Sequence, residues 1–507
     1  MSAIGGSPHA AVPDLVAAAV LRAGDKPGAL AACDASRRWT WGEVLADAHA
    51  WRDAVAGACA PGQLAVPMLV RRSARILPAA LGCMMAGRAF APLSPDQPPE
   101  RLALCAQCVG GIGIDLVARP DAAPSECMRE FAPPGPVAAV KPEGPVEDPL
   151  YVLFTSGSTG RPKGVVVTGT NITNMLTWWS GLHGYAPSDI AGVATPFFFD
   201  ISMFDVFACI GRGVPMAVLS DLADVRRVVA EVEAYGVTTL FSVPTFYSQW
   251  LRLPDFGRAP VGRLRRAIIG GDFLPPAHWL AWRRAYPEMQ LINIWGPTET
   301  TILNTAHLVG PSDDEVIEAE GHPPVGRAME RMQFVLVDEA GREVVEPGRE
   351  GEIWMLGSCV TRGYAGGSDE EAANYTEWRG QRAFRTRDIG RLDARGQLYM
   401  VGRIGSMVKI AGHRVDLGEV EAAATSHGAV HLASAFTVAS PAGHDELHLA
   451  VERRPGAGDL DIYSLKQHLR AKLPPYMVPK RIHPADALPR TANGKVSRRG
   501  VKEAFTP

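Results

Sequence analysis

Five short stretches of this chain carry residues whose types and spacing suit chemistry on phosphates and carboxylates. The first is FTSGSTGRPKG at residues 154–164. Thr155, Ser156, Ser158 and Thr159 offer hydroxyl donors, Gly157 and Gly160 let backbone N–H groups approach an anion, and Lys163 adds a positive charge. A Walker loop needs its lysine followed by a hydroxyl that holds magnesium. Here Lys163 stands between Pro162 and Gly164 and runs into Val165, Val166 and Val167. By composition alone the stretch reads equally as a flexible Gly/Ser turn.

The second stretch is NIWGPTETT, residues 293–301. Glu299 is a hard oxygen ligand suited to magnesium, Thr298 a donor to phosphate, and Trp295 a stacking face. Its plainer reading is a strand ending in a Gly-Pro turn. In FRTRDIGRL, residues 384–392, Asp388 is placed to accept hydrogen bonds from ribose hydroxyls, or is simply an Asp at a hairpin turn. In GRIGSMVKIAGHRVDLGEVEAA, residues 402–423, Glu419 and Glu421 favour the start of a helix. In LPRTANGKVSRR, residues 488–499, Lys495 follows Asn493-Gly494, a pair that on its own marks a tight turn with an exposed lysine.

These stretches need a scaffold. At 507 residues the chain exceeds one ordinary core, so two or more domains are expected. Strands and helices alternate through most of the first 330 residues, which predicts α/β layering. DLADVRRVVAEVEAYG puts Leu222, Val225, Val228, Val229 and Val232 on one helical face, and VTTLFSVP reads as the buried strand after it. From about 325 to 400, FVLVDEAGREVV, GEIWMLG and GQLYMVG predict a small β-rich subdomain. Beyond Gly402, GEVEAAATS and IYSLKQHLRAKL read as helices and ELHLAVE as an alternating, half-buried strand. The expected division is a large N-terminal core over 1–402 and a small mobile α+β domain over 403–507, joined near Arg403-Ile404-Gly405-Ser406.

Composition narrows the classes. Hydrophobic content of 47%, charge of 21% and a net charge of −3 describe a globular protein with no nucleic-acid or anionic-membrane surface. Arg71-Arg72 and Arg498-Arg499 read as solvated faces. No secretory signal and no run of 18 apolar residues is visible, so a cytoplasmic location is expected. The eight cysteines are irregularly spaced, and Cys105 and Cys108 in LALCAQCVGG lack the second pair that a zinc site needs. They read as buried structural thiols on a short apolar helix.

Taken together and in this order, the motifs resemble the adenylate-forming superfamily of acyl-CoA synthetases, luciferases and peptide-synthetase adenylation domains. The likeness runs over nearly the whole chain: RRWTWGEV, MMAGRAFAPLSPDQPPERL, FTSGSTGRPKG, FFFDISMFDVF, NIWGPTETT, GEIWMLGSCVTRGY, FRTRDIGR, LPPYMVPKRI and NGKVSRR. It is nearest to adenylation domains of nonribosomal peptide synthetases because of the sequence around Asp200.

The resemblance implies an enzyme that joins a carboxylate to AMP from ATP with magnesium, releases pyrophosphate and passes the acyl group to a thiol. It implies that Lys495 bridges the carboxylate and the α-phosphate, that Glu299 holds magnesium and that Thr298 acts beside it. The 155–163 loop (Thr155, Ser156, Gly157, Ser158, Thr159, Gly160 and Lys163) would hold pyrophosphate. Gly271, Asn293 and Trp295 would border the nucleotide, with Asp388 and Arg403 on its ribose. The C-terminal domain of relatives rotates between the half-reactions, bringing the segment from Lys409 to Gly412 to the thiol tunnel in the second.

In amino-acid-activating relatives an aspartate at the position of Asp200 pairs with the substrate's α-ammonium. The other pocket positions carry over as Ile201, Phe204, Phe241, Ile268, Gly270, Ile294, Ile302 and Leu303, all without charge. A charged substrate side chain would be stranded there. The expectation is therefore a small to medium aliphatic amino acid, valine or isoleucine first and alanine or proline next. The acceptor would be a separate carrier protein with a phosphopantetheine arm, loaded by a free-standing enzyme or by one domain excised from a larger synthetase. The rival readings are an acyl-CoA synthetase for a small carboxylic acid and an inactive relative that serves as a binding protein. Three positions depart from the family: Arg387 where T-G-D is usual, Gly405 at the hinge, and Gly169 where histidine is common.

Overall fold

The computed structural model describes residues 11–119, 121–132, 140–142, 148–155, 162–258, 261–366, 368–405, 407–440, 445–454, 460–490 and 496–506. It is a mixed α/β protein with a large N-terminal domain and a smaller C-terminal one.

The larger part is built on two sheets. A nine-stranded sheet runs in the order Arg327–Ala328, Thr305–Val309, Gln290–Trp295, Arg266–Ile269, Thr239–Ser242, Ala191–Val193, Met216–Val218, Leu30–Cys33 and Arg38–Thr40. Its middle strands pair in parallel, with Phe241 opposite Ile268 and Ile269 opposite Asn293. Such strands are covered by helices on both faces, which is why they read as continuous apolar runs. An eight-stranded sheet carries Pro149–Thr155 paired antiparallel with Lys163–Thr168. The β-rich stretch is a five-stranded antiparallel sheet including Met332–Val337, Glu350–Gly357, Gln381–Leu392 and Leu398–Arg403.

Two local expectations need correction. The helix after residue 220 begins only at Val225, where the Asp224 side chain caps Arg227 N at 3.2 Å. Val225, Val228 and Val232 are buried, while Leu222 lies before the helix and turns toward the cavity described below. The strand Asp445–Arg453 does not alternate: Leu447 to Glu452 are all buried. It is the middle strand of its sheet, between Val430–Ala439 and Arg481–Ala485. One face meets the helices Leu417–Thr425 and Ile462–Lys472 through Leu447, Leu449 and Val451, and the other meets Arg498–Phe505 through Ala450.

Glu419 does more than favour a helix start. It forms a buried ion pair with Arg101 on the helix Pro99–Val109, tying the C-terminal part to the large domain. Glu421 pairs with Arg498 at 2.8 Å. Arg72 is half-buried and donates to Ala194 O at 2.6 Å, unlike exposed Arg71. All eight cysteines are free thiols, Cys105 buried and Cys108 half-buried. Among the described residues no helix is long and apolar enough to cross a membrane.

Candidate active site

The parallel strands end at one cavity. Its wall takes Thr195 and Phe198 to Ile201 from beyond Ala191–Val193, Val243 from beyond Thr239–Ser242, Gly271 from beyond Arg266–Ile269, and Ile294 to Thr298 from the end of Gln290–Trp295. The crevice beyond the carboxyl ends of parallel strands is where α/β sheets bind ligands. Leu153 to Thr155 close one side. Asp388 and Arg403 come from the β-rich sheet, and Lys409, Ala411, Gly412, His413 and Tyr476 from the C-terminal domain.

Asp200 is the first residue of the helix Asp200–Phe207, with Phe199 in the cap position, so its charge meets the positive end of the helix dipole. Its Oδ2 accepts the Thr298 hydroxyl at 2.5 Å. Burial raises the Asp200 pKa, the Thr298 and Ile201 hydrogen bonds oppose that rise, Glu299 adds to it and Lys409 reduces it. Ile201, Ile294 and Ile302 line the cavity beside it. Phe204, Phe241, Ile268 and Leu303 are buried behind them, the two phenylalanines edge-to-face at 5.5 Å. A Cβ on Gly270 would come within 2.2 Å of Ile294 Cδ1, so the Ile294 side chain already fills the space that glycine leaves.

A second group gathers around Asp388. Arg403 sits opposite it in the antiparallel pairing, with Nη1 2.9 Å from Oδ1, and Trp295 Nε1 donates to Oδ2 at 3.2 Å. Asn293 is not among the cavity-lining residues, and its amide donates to Pro323 O and Pro324 O at 3.2 and 2.9 Å. The third group lies deeper. Glu299 is fully buried and accepts from Tyr364 Oη at 2.8 Å. Lys163 Nζ lies 4.5 Å from the centre of the Tyr364 ring and 3.4 Å from Glu371 Oε1. One tyrosine thus bridges two residues singled out in separate motifs. Ser156 to Gly160 and Lys495 lie outside the described residues.

The backbone around the cavity is strained. Thr301, Ile302, Arg387 and Ala411 take φ of 68°, 66°, 64° and 50°, the left-handed region. For a β-branched residue such as Ile302 this is a genuine outlier, and such outliers gather at functional sites. Arg387 stands where the T-G-D pattern has glycine, and its positive φ shows what that glycine is for. Residues to which the motifs gave no role stand at the cavity: Asp272, just outside its lining, whose Oδ2 accepts Gly412 N at 3.3 Å, and His413 on its wall, stacked on Tyr476 at 4.2 Å. The Gly270-Gly271-Asp272 run was the available signal for the first; the second pairs residues of distant segments and had none.

The family model described as AMP-binding enzyme matches residues 111–365, and that of the AMP-binding enzyme C-terminal domain matches 419–495. Delta-poly-L-ornithine synthetase of Acinetobacter baumannii is 30% identical over 87% of this chain and 33% of its own length. L-proline--[L-prolyl-carrier protein] ligase of Streptomyces coelicolor is 33% identical over 69% of this chain and 65% of its own. Among solved structures, holo-PA1221, a peptide-synthetase protein containing adenylation and PCP domains, superposes with a TM-score of 0.79 at 25% identity, covering 97% of this chain and 84% of that one. The chain spans a third or less of the length of several curated relatives it matches.

Proposed function

Because the chain belongs to the AMP-binding enzymes, the adenylate-forming ligases of the peptide-synthetase and acyl-CoA synthetase superfamily, we propose that it activates a small to medium aliphatic amino acid. Valine or isoleucine comes first, alanine or proline next. The product is the aminoacyl adenylate, formed from ATP with release of pyrophosphate and passed to the phosphopantetheine thiol of a separate carrier protein. The observation that carries this reading is Asp200, held by Thr298 at 2.5 Å and flanked on the cavity wall by Ile201, Ile294 and Ile302. A carboxylate in apolar surroundings asks for a cation, and an α-ammonium supplies one. The short reach left by Ile294 over Gly270 favours a compact side chain. The relative named for prolyl-carrier protein ligation fits the same class.

In this reading Asp388 accepts the ribose hydroxyls, Arg403 and Trp295 Nε1 hold its carboxylate, and the Trp295 ring borders the adenine. Asn293 serves by fixing the 323–324 backbone rather than by donating to the base. Glu299, a buried carboxylate with an oxygen fixed by Tyr364, is chemically suited to magnesium. That ion, when bound, would screen the phosphate charges. Lys495 stabilises the charge that develops as the carboxylate meets the α-phosphate. The loop from Thr155 to Lys163 holds the departing pyrophosphate. The proposed division into 1–402 and 403–507 falls at the end of the strand Leu398–Arg403, with Arg403 as the junction residue still paired to Asp388. The hairpin of Met407–Ile410 and His413–Asp416 lies on the cavity, an arrangement that suits the transfer step.

ATP–pyrophosphate exchange over a panel of amino acids and simple carboxylic acids tests the proposal. Exchange with aliphatic amino acids is expected. Exchange confined to simple acids would favour the acyl-CoA synthetase reading, exchange confined to aspartate, lysine or a benzoate would refute the pocket assignment, and none at all would point to an inactive binding protein.

A further inference from the structure

A second opening adjoins the cavity, and one imidazole, that of His413, stands in the wall of both. The residues common to both include Phe198, Val243, Ala411, His413 and Tyr476. His413 follows the turn Ala411-Gly412, both residues at positive φ, which closes the hairpin tightly. A Cβ on Gly412 would lie 2.3 Å from Val243 Cγ1, so glycine lets this turn reach the cavity rim. The ring is fixed on two sides, face to face with Tyr476 at 4.2 Å and edge-on to Phe199 at 4.4 Å. Nδ1 is buried and has no hydrogen-bond partner among the described residues. With the ring proton on that Nδ1, the acceptor nitrogen of the neutral ring is Nε2.

We propose that Nε2 of His413 accepts the proton of the acceptor thiol as that thiol attacks the carbonyl carbon of the acyl adenylate. The inference rests on the adenylation reading above. The S–H proton moves to Nε2 while the S–C bond forms, becoming more acidic as it does so. The tetrahedral centre then collapses, the C–O bond to AMP breaks, and AMP leaves with the bonding pair. The imidazolium gives its proton to water in the second opening. Burial pushes the His413 pKa down to about 4, so the ring is neutral and an acceptor throughout the physiological range. The charged or titratable groups around it are Lys409 on the paired strand, Asp272 beneath the turn, Asp200 at the helix start, Tyr476, and Arg72, Asp96 and Asp221 on the second opening. No sequence motif marks this role.

The test follows acyl transfer in a single turnover, from adenylate preformed on the enzyme with the best amino acid of the exchange panel to free pantetheine. Using preformed adenylate keeps any change in adenylation out of the rate. His413→Phe keeps the stacked ring without a nitrogen, and His413→Ala removes both. Both variants should transfer about 100-fold more slowly at pH 7, and their rates should climb about tenfold per pH unit toward the thiol pKa. The wild type should climb less. Wild-type transfer by His413→Phe, or an equal loss at every pH, would reduce the ring to packing and overturn the proposal. A wild type that exchanges but never acylates pantetheine would overturn it while leaving activation standing. A wild type that forms no adenylate would overturn both.

Discussion

The hydroxyl of Thr298 donates to the carboxylate of Asp200 at 2.5 Å, joining two motifs 98 residues apart in sequence. The next residue, Glu299, faces the other way, into the buried contact with Tyr364. One short turn thus separates the hydroxyl that holds Asp200 from the buried carboxylate of Glu299, and keeps both in a fixed relation.

Asp200→Asn should lower kcat/KM for the amino acid by about 100-fold or more, because losing one partner of a desolvated charge pair costs about 2–5 kcal/mol. The pH dependence has a definite sign. Burial raises the Asp200 pKa in the empty protein, so kcat/KM should fall as pH drops through the window just above the ordinary carboxylate range. The same shift makes the folded state bind the proton more tightly than the unfolded state, so this group's contribution to stability declines as pH rises through that window. Asp200→Asn should flatten both profiles, checked by steady-state kinetics and thermal denaturation.

Trp295→Phe keeps a ring at the cavity but removes the donor to Asp388 Oδ2. A hydrogen bond to a charged group is worth about 1.5–3 kcal/mol. An increase of about tenfold or more in the KM for ATP is expected, with the KM for the amino acid little changed; measured exchange kinetics with each substrate varied separately would show it.

Arg387→Gly should stabilise the protein by about 1 kcal/mol, since a left-handed L-residue costs about 1–2 kcal/mol and Arg387 holds φ 64°. Denaturant unfolding of the variant is the measurement. A loss of stability would mean that the arginine side chain contributes more than its backbone costs.

Two substitutions should split the half-reactions in opposite directions. Lys495→Ala should cripple adenylation while leaving transfer from preformed adenylate largely intact. Arg101→Ala leaves Glu419 buried without its ion-pair partner, a cost of about 3–5 kcal/mol in the docked arrangement described here. Transfer should therefore fall by tenfold or more, with adenylation less affected. Separate exchange and single-turnover assays of both variants would show the crossing pattern.

The order of motifs made much of the cavity legible: Asp200, Ile201, Trp295, Thr298, Asp388 and Arg403 come from separate stretches and meet at one wall. Relations between segments were not. Nothing in the sequence near Lys163 or Glu299 points to Tyr364, and nothing near His413 points to Tyr476, because each contact depends on how whole sheets and domains are set against each other. Asn293 has the residue type for a base contact, yet its amide is taken by backbone carbonyls. Periodicity failed where burial is two-sided, as in Asp445–Arg453, and at the edge of a helix, where Leu222 matched the spacing but left the helix for the cavity. The positive φ of Arg387 was foreshadowed only by the missing glycine.

The central claim is that Asp200 selects substrates bearing an α-amine. It is tested most directly by ATP–pyrophosphate exchange with matched pairs: valine and 3-methylbutanoate, alanine and propanoate, proline and cyclopentanecarboxylate. Within the best pair, the amino acid should exceed its amine-free partner by about 100-fold in kcat/KM, and Asp200→Ala should shrink that ratio toward one. Equal exchange by both members of every active pair, or a ratio untouched by Asp200→Ala, would contradict it.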